Sequence, residues 1–113
     1  MKSNKNNKYY LPPHIKGYVK QELYNYKANK KLLCKLTAQK NGNTRDIAVI
    51  SNKLALIEAA LDTLSEEDRA IAEKIFFEDK SQGALEMQGV SRGVYYYIMD
   101  KTAYKTAYAF DMV

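Results

Sequence analysis

The sequence has little of what marks several common classes of protein. Its 113 residues include one cysteine, Cys34, and one histidine, His14, so an internal disulfide is excluded and no usual zinc-ligand spacing is present. No apolar run approaches the roughly 18 to 20 residues that cross a bilayer. The polar residues 1–8 are not followed by the apolar stretch of a signal peptide. These absences predict a cytoplasmic protein with no metal, disulfide or membrane contact.

Motifs for catalysis are missing as well. The sequence has no glycine-rich phosphate loop, no paired catalytic carboxylates and no nucleophile spaced to meet a base. Cys34 is interpreted as a small apolar packing residue and His14 as a surface residue. We therefore predict no enzymatic activity, no cofactor, no small-molecule substrate, and no catalytic, cofactor-binding or metal-binding residue.

Turn-forming residues are scarce, which favours helices. Two prolines and five glycines leave little material for the many turns of a β-rich fold. Hydrophobic residues make up 46% and charged residues 27%, ordinary values for one globular domain of this length. We predict an all-α fold, a small helical domain with a long amphipathic N-terminal helix and a C-terminal helix-turn-helix. The predicted divisions are a basic flexible tail (1–12), a basic amphipathic helix with its linker (13–43) and the helix-turn-helix domain (44–113).

Charge is distributed unevenly along the chain. The net charge is +5, but residues 1–50 hold eleven basic and two acidic residues, whereas residues 51–113 hold seven basic and eleven acidic residues. A basic half beside an acidic half is typical of a protein with one surface facing a polyanion. A solvated lysine face that only keeps the protein soluble is the alternative.

The first predicted helix runs from about His14 to Leu36, after two prolines that suit a helix start. Helical periodicity places one set of apolar side chains on a common face: Ile15, Tyr18, Val19, Tyr26, Leu33 and Leu36. Four lysines form a stripe on its flank: Lys16, Lys20, Lys27 and Lys31. Leu23 and Cys34 fall toward the lysine side.

The second predicted helix carries a heptad pattern. It follows a connection at residues 39–43, with Asn43 or Thr44 as its N-cap and Asp46 in its first turn. The apolar residues alternate at intervals of three and four: Ile47, Ile50, Leu54, Ile57, Leu61 and Leu64. Two interpretations are open, an antiparallel hairpin with the first helix and a homodimer contact.

The remaining helices are marked by serine caps. Ser65, followed by three acids, predicts the start of a helix that buries Ile71, Ala72, Ile75 and Phe76. Ser81 caps a short helix that ends near Met87. A turn at residues 89–91 leads to a last helix, capped by Ser91 and ending near Phe110. The expected inner residues of this last helix are Val94, Tyr95, Ile98, Met99, Thr102, Thr106 and Ala109.

Two unequal helices joined by a glycine-containing turn form the pattern of a helix-turn-helix. The segments LDTLSEEDRAI (61–71), FFEDKSQ (76–82) and GVSRGVYY (89–96) resemble the fourth conserved region of sigma-70-type factors. The closer resemblance is to phage RinA/ArpU-like transcriptional regulators. It is strongest over residues 57–104. It implies a phage or prophage activator of late genes that binds promoter DNA and contacts host RNA polymerase.

The candidate DNA-binding residues lie mainly in the last helix. We predict that Arg92 bonds guanine through its forked guanidinium, with a phosphate or structural role as the alternative. Tyr96 and Tyr97 face solvent or DNA, unless they pack on the first helix or on a partner subunit. Phosphate contacts are expected from Ser91, Gly93, Lys101 and, because the second half is net acidic, from the lysine stripe: Lys16, Lys20, Lys27 and Lys31.

The preferred hypothesis is therefore a sequence-specific regulator that binds double-stranded DNA in the bacterial cytoplasm, at the nucleoid. A second hypothesis is a non-enzymatic interaction protein that holds RNA polymerase or another protein through the helix-turn-helix domain. A third is the DNA-recognition subunit of a phage packaging machine. A homodimer is compatible with each of these.

Overall fold

The computed structural model describes residues 8–39 and 44–113, and these residues form six helices. No β-strand is present in the described ranges, so the predicted all-α class is confirmed. None of the helices in those ranges is long and apolar enough to cross a membrane. The helices are α1 (Pro13–Tyr24), α2 (Tyr26–Ala38), α3 (Thr44–Asp62), α4 (Glu66–Phe76), α5 (Gln82–Glu86) and α6 (Arg92–Ala109).

The single N-terminal helix that the sequence predicts is divided at Asn25. This residue has φ −88° and ψ 2°, away from regular helical geometry, although its amide still donates to the Gln21 carbonyl at 3.0 Å. On one side of the division α1 packs on α6 and α4, and on the other α2 packs on α3. The two helices therefore bury different faces, and one helical wheel cannot describe both.

This division explains two wrong predictions on α1. Leu23, which the wheel places toward the lysines, is fully buried, and Tyr18, expected on the inner face, is 44% exposed. The buried side of α1 runs through Val19 and Leu23, which lie four residues apart and so share one side of the helix. Packing of this short helix on α6 and α4 selects the side that is buried.

Three serines begin helices as the sequence predicts. Each hydroxyl accepts a hydrogen bond from the amide three residues later, which satisfies an amide that has no partner within the helix. The amide of Asp68 donates to Ser65 at 3.1 Å, that of Ala84 to Ser81 at 3.1 Å, and that of Val94 to Ser91 at 3.2 Å. The start of α3 lies next to residues 40–43, so the predicted Asn43 cap falls outside the described residues.

The heptad residues of α3 pack against other helices of the same chain. Leu54, Ile57, Leu61 and Leu64 are buried, and Ile47 and Ile50 are half-buried. They face both α2 and α6, because α3 packs on each of these helices. The hairpin with α2 is therefore part of the fold, with α6 as an additional partner. The four buried residues of this pattern are therefore not available to a second chain, whereas Ile47 and Ile50 keep part of their surface accessible.

Helix α6 is the centre of the domain. It packs on α1, α3, α4 and α5, and its inner side chains are buried as predicted: Tyr95, Ile98, Met99, Thr102 and Thr106. Val94 is 42% exposed where the sequence places it inside, and Ala109, also predicted inside, is half-buried. The neighbouring α5 has only five residues and gives the first turn of α6 less cover than the later turns receive.

Several acidic side chains of the second half take part in one ion-pair network. The guanidinium of Arg69 contacts Glu58 and Glu73, each at 3.0 Å, and also Asp62. The hydroxyl of Tyr26 donates to Glu58. The hydrogen bond with Glu73, followed by those with the other two carboxylates, raises the pKa of Arg69. The network joins α2, α3 and α4, so these acids hold helices together.

Candidate nucleic-acid interface

The leading turn of α6 is open to solvent. Ser91, Arg92, Gly93 and Val94 are all exposed, and a Cβ atom added at Gly93 would meet nothing within 4 Å. The rest of the helix is fixed in the core, so this turn is presented on a rigid support. An exposed helix start of this kind fits the major groove, where its side chains reach base edges and its amides face phosphate.

Arg92 and Tyr96 lie together on the exposed side of this turn. The guanidinium carbon of Arg92 is 5.8 Å from the centre of the Tyr96 ring, a distance typical of a cation–π contact. Tyr96 is 45% exposed, and its ring meets the buried Tyr95 edge to face at 5.0 Å. Arg92 forms no ion pair with any residue in the described ranges. Its five N–H donors are therefore oriented by an aromatic ring and not neutralised by a carboxylate.

Tyr97 belongs to a group of three rings that we call the tyrosine clamp: Tyr9, Tyr97 and Tyr104. The ring centre of Tyr9 lies 5.8 Å from that of Tyr97 and 5.7 Å from that of Tyr104. Tyr9 and Leu11 are buried against the domain. Residues 9–12 of the predicted tail are thus packed on the domain, and Tyr97, still 48% exposed, contacts the chain's own N-terminal segment.

Lys101 lies against two rings of the tyrosine clamp. Its ammonium donates to Asp68 at 3.1 Å and lies 5.9 Å from the Tyr9 ring centre and 5.7 Å from that of Tyr97. The hydrogen bond with Asp68 raises the pKa of Lys101 against the opposing effect of its burial. A lysine that the sequence predicts as a phosphate contact is therefore held between a carboxylate and two rings.

Two cations lower the pKa of Tyr9. Burial alone would raise this pKa, but the charges of Lys8 and Lys101 and hydrogen bonds with Tyr97 and Lys8 outweigh it. Lys8 is exposed, with its ammonium 5.2 Å from the Tyr9 ring centre. The clamp thus places an exposed positive charge next to the second turn of α6.

Helix α1 brings part of the lysine stripe to the other flank of α6. The ammonium of Lys16 contacts the carboxylate of Asp100 on α6 at 2.8 Å. Burial lowers the pKa of Lys20, and so does the charge of Lys16, while Asp100 opposes both. These three side chains are therefore close together. The charge of Lys16 balances Asp100, and Lys20 adds positive charge beside them.

The other half of the stripe lies elsewhere. Lys27 and Lys31 are exposed on α2, which packs on α3. They lie beyond the division at Asn25, on a different helix from the one that carries Lys16 and Lys20. Cys34 also lies on α2 and is exposed, so its predicted role as an apolar packing residue is wrong. His14 is exposed, as expected.

The sequence patterns described above assign no role to Tyr9, Leu11 or Tyr104, which the structure brings to this site. A signal was present, because Tyr9, Tyr10 and Leu11 form the only apolar cluster in an otherwise Lys/Asn-rich segment before Pro12. Consecutive apolar residues just before a helix often pack against it, as in a hydrophobic staple.

Within residues 8–39 and 44–113 no three His, Cys, Asp or Glu side chains are grouped so that they could hold a metal ion. Comparison with protein-family models, with curated proteins and with solved structures finds no match to this chain.

Proposed function

We propose that this protein is a sequence-specific DNA-binding regulator whose α6 enters the major groove of a promoter. The observation that carries the proposal is the exposed leading turn, Ser91 to Val94, on a helix whose later turns form the centre of the core. A major groove about 12 Å wide accepts one α-helix, and a rigidly supported helix start can be placed there with a fixed register. Arg92 and Tyr96 are the side chains best placed to contact bases.

The charges near α6 favour duplex DNA over a neutral ligand. Arg92 lies at the tip, Lys8 is exposed on one flank and Lys20 lies on the other, beside Lys16 and Asp100. Each phosphate that is neutralised releases counterions, so affinity should fall as salt rises, with a slope of about −0.9 per phosphate in a log–log plot. Binding that is insensitive to salt would contradict the proposal.

Selection from a pool of random duplexes, followed by titration of the enriched sequence, tests this function. We expect one preferred site and expect Arg92→Ala to lose about 1 to 3 kcal/mol of discrimination against a mismatched base. Lys27→Ala is the control, since it removes an exposed cation on α2. No enrichment, or equal losses at all sequences for Arg92→Ala, would refute the assignment of Arg92 as a base contact.

The biological role that we propose for this DNA binding rests on the resemblance to phage regulators. The role is activation of late phage or prophage genes together with host RNA polymerase, at the nucleoid in the bacterial cytoplasm. A homodimer on a two-fold symmetric site remains compatible with it, on a surface other than the buried heptad residues of α3. Reporter expression from the enriched site, with and without the protein, measures the sign of regulation.

One observation favours a second candidate function, binding to another protein. Met87, at the end of α5, is 91% exposed, and Val94 on the first turn of α6 is also exposed. A contiguous exposed apolar patch marks a protein contact, and Met87 and Val94 are the candidates for such a patch beside the first turn of α6. Co-purification of bacterial RNA polymerase that is lost in Met87→Ser, without any binding of duplex DNA, would support this candidate over the first.

A further inference from the structure

We propose that the outer side of α2 is a second phosphate-binding surface, which holds the backbone of DNA whatever its sequence. Four lysines make up this surface, which we call the α2 lysine face: Lys27, Lys30, Lys31 and Lys35. All four are exposed, and α2 contains no acidic residue. The inference goes beyond base recognition by α6, because phosphate contacts carry no direct information about sequence.

The charge of the α2 lysine face is not balanced within the domain. None of its four lysines forms an ion pair in the part of the chain that the structure describes. Two acids of the neighbouring helices are held by other cations, because Lys53 contacts Glu22 at 3.2 Å and Arg69 contacts Glu58 at 3.0 Å. The positive charges of this face are therefore available to an external anion.

The first turn of α2 is fixed to the core. Tyr26 is buried, its ring stacks on that of Phe77 with the centres 4.4 Å apart, and its hydroxyl donates to Glu58. The ammonium of Lys30 lies 5.4 Å from the centre of the Tyr26 ring, a distance typical of a cation–π contact. The helix and one of its lysines are therefore positioned before an anion arrives, which lowers the entropy cost of binding.

An open cleft of about 450 Å³ lies among three of these lysines, Lys27, Lys30 and Lys31. The cleft is also lined by Ala28, whose small side chain leaves room between the longer lysine side chains. A lysine ammonium is a compact charge with three N–H donors, and it binds phosphate as a point charge. The cleft is therefore suited to a phosphate group that is bound by more than one ammonium.

The spacing of the lysines suits a chain of phosphates and not a single one. Lys27, Lys31 and Lys35 follow one another at intervals of four residues, so they share one side of α2 and span about 12 Å along its axis. A DNA strand carries one phosphate for about every 3.4 Å of the duplex axis. A strand that runs along this side of α2 therefore presents about three phosphates to the three ammonium groups.

The composition of α2 favours DNA over an anionic membrane or an acidic protein. A basic helix that lies on a membrane inserts its apolar side, but on α2 Tyr26 is buried and Leu33 packs against the core. Protein contacts are commonly anchored by aromatic or arginine side chains, and the exposed side of α2 has neither. Contacts with a DNA backbone need only charge and hydrogen-bond donors, which this side supplies.

The test measures the affinity of the full chain at several salt concentrations for two duplexes, the one enriched by selection and one of unrelated sequence. The α2 double variant, Lys27→Gln with Lys31→Gln, should reduce the slope of log affinity against log salt by about 1.8 on both duplexes, since each phosphate contact contributes about 0.9. Its preference between the two duplexes should equal that of the wild type, because phosphate contacts do not read bases. Arginine at the same two positions keeps the charge and should restore the wild-type slope.

The matched control, Lys53→Gln with Lys105→Gln, lowers the net charge by the same amount outside α2. Lys53 is paired with Glu22, and Lys105 lies about 20 Å beyond Arg92 along the axis of α6. We expect this variant to bind both duplexes with a slope close to that of the wild type. Equal reductions in the two double variants, or a wild-type slope in the α2 double variant, would show that the α2 lysine face is only solvated and would overturn the inference.

The inference and the proposed function fail in different ways. If no duplex is enriched but the chain binds any duplex with a slope that the α2 double variant reduces, the proposed function is wrong and the inference stands. If one duplex is enriched and the α2 double variant keeps the wild-type slope, only the inference is wrong. Binding to phosphatidylglycerol vesicles that the α2 double variant loses, with an unchanged slope on DNA, would assign the face to a membrane and overturn the inference. Absence of binding to either duplex at low salt would refute both proposals.

Discussion

Thr102 offers a test of how α6 is packed. Its side chain is 1% exposed in the centre of the domain, and its hydroxyl has no hydrogen-bond partner among residues 8–39 and 44–113. A buried hydroxyl without a partner costs about 1 to 3 kcal/mol, because it loses its bonds to water and gains none. Valine has nearly the same shape and replaces the hydroxyl by a methyl group. We therefore expect Thr102→Val to stabilise the protein.

The size of the effect follows from the same contacts. Threonine and valine have similar helix propensities, so the substitution hardly changes the contribution of helix propensity to the free energy of unfolding. The lower end of the cost of an unpaired buried hydroxyl is about 1 kcal/mol, so we expect the free energy of unfolding to rise by about 1 kcal/mol. For a domain of this length that corresponds to a rise in Tm of about 4 °C. Thermal and urea denaturation followed by circular dichroism measure both quantities.

Thr106 is the matched control. It is also fully buried on α6, but its hydroxyl donates to the Thr102 carbonyl at 2.8 Å. Thr106→Val removes a satisfied hydrogen bond and should destabilise the protein by about 0.5 to 1 kcal/mol, the opposite sign. A loss of stability in Thr102→Val would mean that its hydroxyl is paired in solution and would refute the reasoning.

Two further predictions concern the packing of α1 and the clamp. Leu23→Ala should destabilise the protein by about 3 kcal/mol in urea denaturation, because Leu23 is fully buried. The control Leu32→Ala, at a position that is 43% exposed, should lower the free energy of unfolding much less. Equal losses would contradict the orientation of α1. Lys101→Met should lower stability by about 1 kcal/mol at pH 7 by breaking the pair with Asp68. The pKa of Lys101 is raised above its ordinary 10.5, so the contribution is fully present below pH 10.5 and is lost as the pH rises through the folded-state pKa. Denaturation from pH 7 to 11.5 should show that the difference in unfolding free energy between the wild-type protein and Lys101→Met disappears only at the alkaline end. Loss of this difference already below pH 10 would be the contrary result.

Local signals in the sequence predicted much of the fold. Ser65, Ser81 and Ser91 were sufficient to place three helix starts, because a capping hydroxyl acts on an amide three residues away and needs no distant partner. The inner face of α6 was also largely predictable, since its apolar spacing extends over four turns. These features depend on neighbours along the chain, which the sequence displays directly.

Features that depend on distant partners were not predictable in the same way. The burial of Leu23 follows from the packing of α1 on α6, and the exposure of Val94 follows from the small size of α5. The candidate site shows the same limit. Exposure of Arg92 and Tyr96 was expected, whereas the attachment of Tyr9 to Tyr97 joins residues 88 positions apart in the chain.

The division at Asn25 gives the two N-terminal helices different packing partners. Since α1 borders α6 while α2 covers α3, the residues of α2 that face solvent can change without altering the surroundings of Arg92. A chimera that changes only the exposed residues of α2 and keeps the buried Tyr26 should keep its preference for the same duplex. The outer side of the second N-terminal helix is thus available for attachments that leave recognition intact.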